Sequence, residues 1–383
     1  MLLAHDPEAY DRYYNVVANP MLWFIHHSLW NRGLRPDLGP AFHAAWHEGY
    51  ERVNRTFADA VIEQLDEQPD ATVFFHDYHL YLAPRMVRDA RPDATLAHFV
   101  HIPWPTDWTI LPPELRRAVH DGLLANDVVG FHTERWATNF RRSCEDVCGG
   151  CGSTRVTHHA ISIDVQEFEQ LAVSDDVLRA EAALPRPEKL VLRVDRTDPS
   201  KNVVRGFRAF GLLLDTHPEW RGRATMLALL DPSRQAIPEY VEYLAAVEEA
   251  VREVNERHAG AIELRVADDF PQSVAAYKQF DVLLVNAVYD GLNLVAKEGP
   301  LVNTRDGVLV LSENAGAHEE LGDWSLTVNP FDIVGQAEAL HTALSMDGAE
   351  RGRWNAAIKA QVREHDVARW IAGQLADVDR VSA

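Results

Sequence analysis

The chain has 383 residues, 46% hydrophobic and 25% charged, an ordinary globular composition that excludes long disorder. Its 37 basic and 58 acidic residues leave a net charge of −21. That disfavours nucleic acid and anionic membrane, and an anionic substrate would have to be held by particular Arg and Lys side chains.

Apolar runs are short, as in Asp281-Val-Leu-Leu-Val285, against the roughly 20 residues of a membrane span. The opening Met1-Leu-Leu-Ala-His-Asp-Pro lacks the charged and apolar regions of a signal peptide, so the expected compartment is cytoplasmic. In chain order, apolar or small residues at 42, 46, 49, 53, 57, 60 and 61 share one helical face and predict a helix over Ala41–Glu63. Short apolar runs predict strands at Ala71–Phe75, Thr95–Val100, Leu190–Val194, Ala224–Leu230, Ile262–Val266, Val282–Val285, Val308–Leu311 and Leu326–Val328. Asp366–Val378 reads as a helix with Asp366 as its N-cap. A polar stretch over Val173–Lys189, with Pro185 and Pro187, marks a boundary. It divides residues 1–172 from residues 188–365, with the helix of 366–383 packing back on the first part. Strands alternating with helices predict an α/β protein of two doubly wound halves, with ligand between the carboxyl ends of their strands.

The residues following each strand therefore carry the functional reading. His76-Asp77-Tyr78-His79 follows the first strand and His101-Ile-Pro-Trp-Pro105 the second; Asp77 and His101 directly end buried strands, though any one such histidine also fits a structural role. Arg196 and Lys201 flank a Pro-containing turn after strand 190–194. A planar fork beside a point charge suits a diphosphate; the alternative is a solvated basic turn. Arg234, after strand 224–230, is a further anion ligand or an exposed loop residue. Tyr289-Asp-Gly-Leu-Asn-Leu-Val-Ala-Lys-Glu298 should open a helix, with Gly291 admitting a ligand to the first-turn amides and Glu298 about two turns along, placed to accept ribose hydroxyls. Ser312-Glu-Asn-Ala-Gly-Ala-His-Glu-Glu320 is a second loop of this kind, and each also fits an ordinary strand-to-helix turn. Cys144, Cys148 and Cys151 with nearby His158 and His159 give either a zinc set of non-standard spacing or, as preferred, free surface thiols on a loop. No dinucleotide glycine motif lies in a βα turn, and P-loop, nucleophile-elbow and H-E-x-x-H motifs are absent.

Taken together, the segments resemble the trehalose-6-phosphate synthase family of retaining glycosyltransferases. The resemblance runs from about Tyr14 to Trp370. It rests on Tyr14-Asn15 through Leu22-Trp23, His76-Asp-Tyr-His79, His101-Ile-Pro-Trp-Pro105, Arg196 to Lys201, Pro232-Ser-Arg234, Asp290-Gly-Leu-Asn-Leu-Val-Ala-Lys-Glu298 and Leu311-Ser-Glu-Asn-Ala-Gly316. It implies the GT-B fold, two Rossmann-like doubly wound domains facing a central cleft. The family opens with a strand, a glycine-rich loop over the donor phosphates and an early Arg for the acceptor; the sequence as given begins after them, which implies an incomplete N-terminal domain.

The implied reaction moves glucose from a UDP- or GDP-linked donor to glucose 6-phosphate with retention, by front-face attack and with no cofactor or metal. Arg196 and Lys201 would hold the donor diphosphate, Glu298 its ribose, and Asp290 with the backbone of Gly291, Asn293, Leu294 and Val295 the transferred sugar and phosphates. Tyr14, Trp23 and Arg234 would bind the acceptor, Arg234 at its phosphate. Asp77 and His101 would line the reaction centre, Asp77 also touching the acceptor. Partners are small molecules only; a homo-oligomer is left open. Two stretches, Arg196-Thr-Asp-Pro-Ser-Lys-Asn202 and Glu298-Gly-Pro-Leu-Val-Asn303, look more like the validoxylamine 7′-phosphate synthase branch, which joins a nucleotide-linked cyclitol to an aminocyclitol phosphate. Tyr289 also stands where trehalose-forming members commonly carry Arg. Tyr14 and Trp23 keep the sugar-phosphate pattern and rank that acceptor first. A catalytically impaired homologue is the third reading.

Overall fold

The computed structural model describes residues 3–382. Its first sheet has four parallel strands in chain order, β1 (Thr72–His76), β2 (Thr95–Phe99), β3 (Val128–Phe131) and β4 (Arg155–His158). The second has six parallel strands: β5 (Lys189–Arg196), β6 (Ala224–Asp231), β7 (Ile262–Val266), β8 (Val282–Val285), β9 (Val308–Ser312) and β10 (Leu326–Val328). Their spatial order is β10-β9-β8-β5-β6-β7. The chain winds outward from β5 through β6 to β7, then returns to lay β8 on the other side of β5. A doubly wound sheet with its reversal between β5 and β8 opens a crevice at the carboxyl ends of that pair, and ligands bind there.

The eight expected strands are present with ends shifted by at most two residues, and β3 and β4 are additional. β3 contains Gly130, where a Cβ would stand 2.6 Å from the Phe99 ring. The glycine lets β2 and β3 share one aromatic layer but weakens the apolar run as a sequence signal. β4 is a short edge strand with no fully buried residue. The helix expected over Ala41–Glu63 spans Pro40–Ala45, a widened π-helical stretch Trp46–Glu51, and Arg52–Glu67. Among the described residues no helix is long and apolar enough to cross a membrane.

Two compact units result: residues up to Ala160 with those from Ile371 on, and Ile161–Trp370. The division thus falls before the polar stretch at 173–189, because residues 161–188 are tied to the second unit. Lys278 Nζ donates to Ala172 O (3.0 Å) and pairs with Glu181, and Lys297 Nζ donates to Ile161 O (2.9 Å). The helix Val367–Ser382 is capped by Asp366, whose Oδ1 accepts from Arg369 N (3.0 Å). Within the first unit this helix is anchored through Asp377, whose side chain is 3% exposed. Its carboxylate accepts from His159 Nε2 (2.7 Å), Arg155 Nε (3.2 Å) and Arg380 Nη1 (2.7 Å).

Burial pushes the Asp377 carboxyl up, but the bonds from His159 and the Arg155 charge outweigh it and hold it below the usual carboxylate range. A depressed folded-state pKa contributes stability above the unfolded value that is lost as pH falls through the folded one. Asp377→Asn should therefore lower stability by ~1–3 kcal/mol near neutral pH. The gap from wild type, measured by urea denaturation across a pH series, should close below about pH 4.

Candidate active site

At the carboxyl ends of β5 and β6 lies a cavity of about 190 Å³. Arg196, the last residue of β5, and Lys201, one short turn later, both line it, together with Val295 and Glu298 from the helix Val295–Val302. Arg196, Lys201 and the start of that helix therefore line one cavity. The ammonium of Lys201 sits 2.5 Å from Asp290 Oδ2, which also accepts from Asn293 Nδ2 (3.1 Å). Asn293, with φ of 86°, in turn caps the helix by accepting from Ala296 N (3.2 Å).

The helix begins at Val295 rather than directly after Gly291, which corrects the expected geometry. Residues 286–294 stay irregular because they are zipped onto the loop after β9: Asp290 N donates to Asn314 O, Gly316 N to Asp290 O and Ala317 N to Leu292 O (3.1, 3.1 and 2.8 Å). Gly316 is required there, since a Cβ would lie 2.0 Å from Gly291 O. The late start puts Glu298 in the first turn, not two turns along. Its Oε2 accepts from Tyr277 OH (3.1 Å) at the cavity wall, and burial pushes its carboxyl up. Asp195, Asp231 and Asp268 share the wall. Burial raises Asp195 despite the Arg193 charge, and burial with the nearby Asp268 charge raises Asp231. Arg196 and Lys201 are the cations of that wall.

Sequence reasoning missed what holds this end in place. Arg193, in mid-strand, is fully buried. Its guanidinium donates to Asp195 Oδ2 (2.8 Å), Lys201 O (2.6 Å) and Asn286 Oδ1 (2.8 Å). Asn202, at φ of 59°, continues the network by donating to Asn286 O (2.8 Å) and Pro330 O (2.7 Å), while Asn286 Nδ2 donates to Gln336 Oε1 (2.7 Å). A charge inside the apolar run Leu190-Val-Leu-Arg-Val194 was the available signal, because a buried guanidinium has to be partnered. Arg234 is likewise enclosed: it pairs with Asp198 Oδ2 (3.3 Å), bonds Tyr240 OH and lies over the Tyr240 ring.

In the first unit, Asp77 follows β1 with φ of 62° and ψ of −178°, a region essentially reserved for glycine. Three bonds hold it: Asp77 N donates to Phe99 O (2.8 Å), Asp77 O accepts from His98 Nε2 (2.9 Å) and Asp77 Oδ1 accepts from His101 N (3.2 Å). His101 Nε2 and His76 Nδ1 are 3.1 Å apart. Burial, then the neighbouring His76, pushes His101 down to about 4, so it is neutral at pH 7. Tyr14 lies in a widened helical stretch, Arg12–Leu22, that contains Pro20, and stacks on His79. Trp23 is buried, stacked on His27 with ring centroids 4.0 Å apart.

The cysteines are not loop thiols as expected. Cys144 is buried and Cys148 ends the helix Glu134–Cys148, with only Cys151 in the loop beyond. The three do not form a metal-ligand group. Among the described residues that description fits His217, Glu219 and His341 alone, and none of these lines the cavity. The two imidazoles stack 3.7 Å apart at 10°, so the ring planes do not meet within coordination distance of both, where an ion would sit.

Glycosyltransferase family 20 matches residues 2–380. The chain belongs to that family. Validamine 7-phosphate valienyltransferase of Streptomyces hygroscopicus subsp. jinggangensis is 32% identical over 391 residues, 98% of this chain and 78% of its own. The bifunctional trehalose-6-phosphate synthase/phosphatase of Thermoproteus tenax is 35% identical over 390 residues, 95% and 51% respectively. Two solved structures carry the same GT-B fold. The Escherichia coli trehalose-6-phosphate protein bound with UDP-2-fluoro glucose has a TM-score of 0.88 at 26% identity, covering 98% of this chain and 85% of that one. The Burkholderia xenovorans trehalose-phosphate synthase in complex with glucose-6-phosphate has a TM-score of 0.85 at 28% identity, covering 97% and 86%. This family 20 member is thus a glycosyltransferase of the trehalose-6-phosphate synthase type.

Two substitutions test how its site is held. A Cβ at Gly206 would lie 2.3 Å from Arg193 Nη1, and that guanidinium is clamped. Gly206→Ala should lower stability by ~1–3 kcal/mol, read as the urea midpoint, and also weaken nucleotide-sugar binding in calorimetry. Asp77→Gly relieves a backbone conformation worth ~1–3 kcal/mol and removes the carboxylate. Its melting temperature should equal or exceed that of wild type, while its turnover collapses.

Proposed function

We propose that this family 20 glycosyltransferase transfers glucose, with retention, from a nucleotide-glucose to a sugar phosphate, glucose 6-phosphate first, forming trehalose 6-phosphate. The observation that carries the reading is the meeting of Arg196 and Lys201 in one cavity at the carboxyl end of β5. As the bond from the anomeric carbon to the diphosphate breaks, these cations neutralise the charge on the leaving group. The acceptor hydroxyl attacks the same face and its proton passes to the departing phosphate oxygen. Positioning and charge stabilisation are then the protein's contribution, and the reaction calls for no metal. Glu298, beside Tyr277, takes the donor ribose. In this reading Asp290 orients Lys201 for the diphosphate as well as facing the sugar. Tyr14, Trp23 and Arg234 serve the acceptor, and Asp77 and His101 the reaction centre. The likeness to Burkholderia xenovorans synthase in complex with glucose-6-phosphate supports this acceptor.

One observation favours a second reading. The valienyltransferase relative matches 98% of this chain, and a cyclitol phosphate acceptor would use the same diphosphate-binding cations.

UDP-glucose, GDP-glucose and a nucleotide-linked cyclitol, each mixed with glucose 6-phosphate, other hexose phosphates and validamine 7-phosphate, decide between them by nucleoside diphosphate release and product mass. Trehalose 6-phosphate formation is expected, unchanged by a chelator. Turnover only with a nucleotide-cyclitol donor would establish the second reading, and donor binding with no product from any pair would mark an impaired homologue. Arg196→Ala and Lys201→Ala each remove a charged contact to the diphosphate, worth ~1.5–3 kcal/mol. Each should lower kcat/KM by roughly 10–100-fold or more. Loss confined to the acceptor KM would overturn their assignment to the donor.

A further inference from the structure

We propose that Asp268 selects the base of the nucleotide-linked donor, taking guanine in preference to uracil. This rests on the donor reading of the cavity given above and extends it from the diphosphate to the other end of the nucleotide. Three neighbouring strands end along one row. Arg196 is opposite Asp231 in the β5–β6 ladder, Leu230 is opposite Val266 in the β6–β7 ladder, and Ala267 N donates to Leu230 O (3.0 Å). Asp268 is the next residue, so Arg196, Asp231 and Asp268 stand in order across the strand ends, and all three line the cavity. Neighbouring strands lie about 4.8 Å apart, which sets Asp268 ~10 Å from Arg196. That leaves room between them for a ribose, and Glu298 lines the same cavity.

The far end of that row offers what a base needs. Phe270 lines the cavity while 48% exposed. Phe168 meets it edge to face, with ring centroids 6.3 Å apart at 64°, and holds its orientation. Stacking on an exposed aromatic ring accepts any base, so discrimination falls to the polar groups beside it. Asp269 is committed elsewhere, its Oδ1 accepting from Gln272 N (3.0 Å) to cap the helix Phe270–Gln279. Asp268 is exposed, and among the described residues it accepts no hydrogen bond and pairs with no cation.

A carboxylate only accepts, through two oxygens side by side. Guanine turns two adjacent donors towards it, N1–H and the exocyclic N2 amino group, and both bonds are charge-assisted. Uracil offers a single N3–H between two carbonyl oxygens, so one carboxylate oxygen would face a carbonyl. Asp231, half-buried in the same wall, adds to the penalty on a carbonyl edge. A site that hydrogen-bonds its ligand rejects an analogue lacking the donor more strongly than an apolar pocket rejects a wrong shape.

Calorimetry of the full chain with GDP, UDP and inosine diphosphate, which keeps N1–H and lacks the amino group, tests this. GDP should bind roughly 10–100-fold tighter than UDP, with inosine diphosphate between them. Asp268→Asn, at an exposed position with no bond in the fold to lose, should keep the wild-type melting temperature. It should weaken GDP by about tenfold or more and leave UDP unchanged or tighter, whereas Phe270→Ala should weaken both alike. Equal affinities, tighter UDP, or a GDP preference that survives Asp268→Asn would overturn the proposal while leaving the donor reading in place. Binding of none of the three removes the donor reading and this proposal with it.

Discussion

A guanidinium with no exposure to solvent holds the second unit in shape. Arg193 stands in the middle of β5, where a charge is tolerated only when its donors are met. Its partners come from three separate segments: Asp195 on its own strand, the carbonyl of Lys201 in the following turn, and the side chain of Asn286 after β8. Those segments are the ones that the reversal of strand order brings together. The same group that satisfies the interior therefore fixes the backbone carrying Lys201. It also fixes the distance between the end of β5 and the loop leading to Asp290. Gly206 leaves the space the guanidinium fills.

This arrangement also explains how a chain of net charge −21 is suited to an anion. Four carboxylates, Asp195, Asp231, Asp268 and Glu298, line the same small cavity as Arg196 and Lys201. Asp195 is paired with Arg193, burial raises Glu298, and burial with the Asp268 charge raises Asp231. The two cations thus act over a short range against a surrounding negative field. Under the proposed reaction, such a site would favour a diphosphate brought in by an attached sugar and nucleoside over a small anion held by charge alone.

The strands were legible because a parallel sheet buried on both faces writes itself as short apolar runs. β3 and β4 were not, one interrupted by Gly130 and the other a polar edge. Arg196, Lys201 and Glu298 were legible because they follow strand ends in a pattern that resembles the family. Arg193 was not, since a charged residue in a strand is ordinarily read as solvent-facing. The start of the helix at Val295 was hidden for a different reason. Residues 286–294 are held irregular by the loop after β9, distant in sequence, and no local pattern reports such a contact. The widened stretch at Trp46–Glu51 keeps a helix-like periodicity and so reads as ordinary helix.

In the first unit the same logic applies to a backbone rather than to a charge. Asp77 is held in a glycine-like conformation by bonds from its amide, its carbonyl and its carboxylate, and two of these run to His98 and His101. Because the Asp77 carbonyl can only accept, His98 must carry its proton on Nε2, and burial keeps that ring neutral. His101 and His76 face each other nitrogen to nitrogen, so one N–H serves both rings while His101 is held near 4. Neutral imidazoles in fixed tautomers suit hydrogen bonding to hydroxyls better than proton storage. Under the proposed reaction that is sufficient, because the acceptor's proton leaves with the diphosphate and no protein base has to take it up. The strain at Asp77 and the lowered His101 then serve one end: a set of polar atoms whose positions and protonation are settled before any sugar arrives.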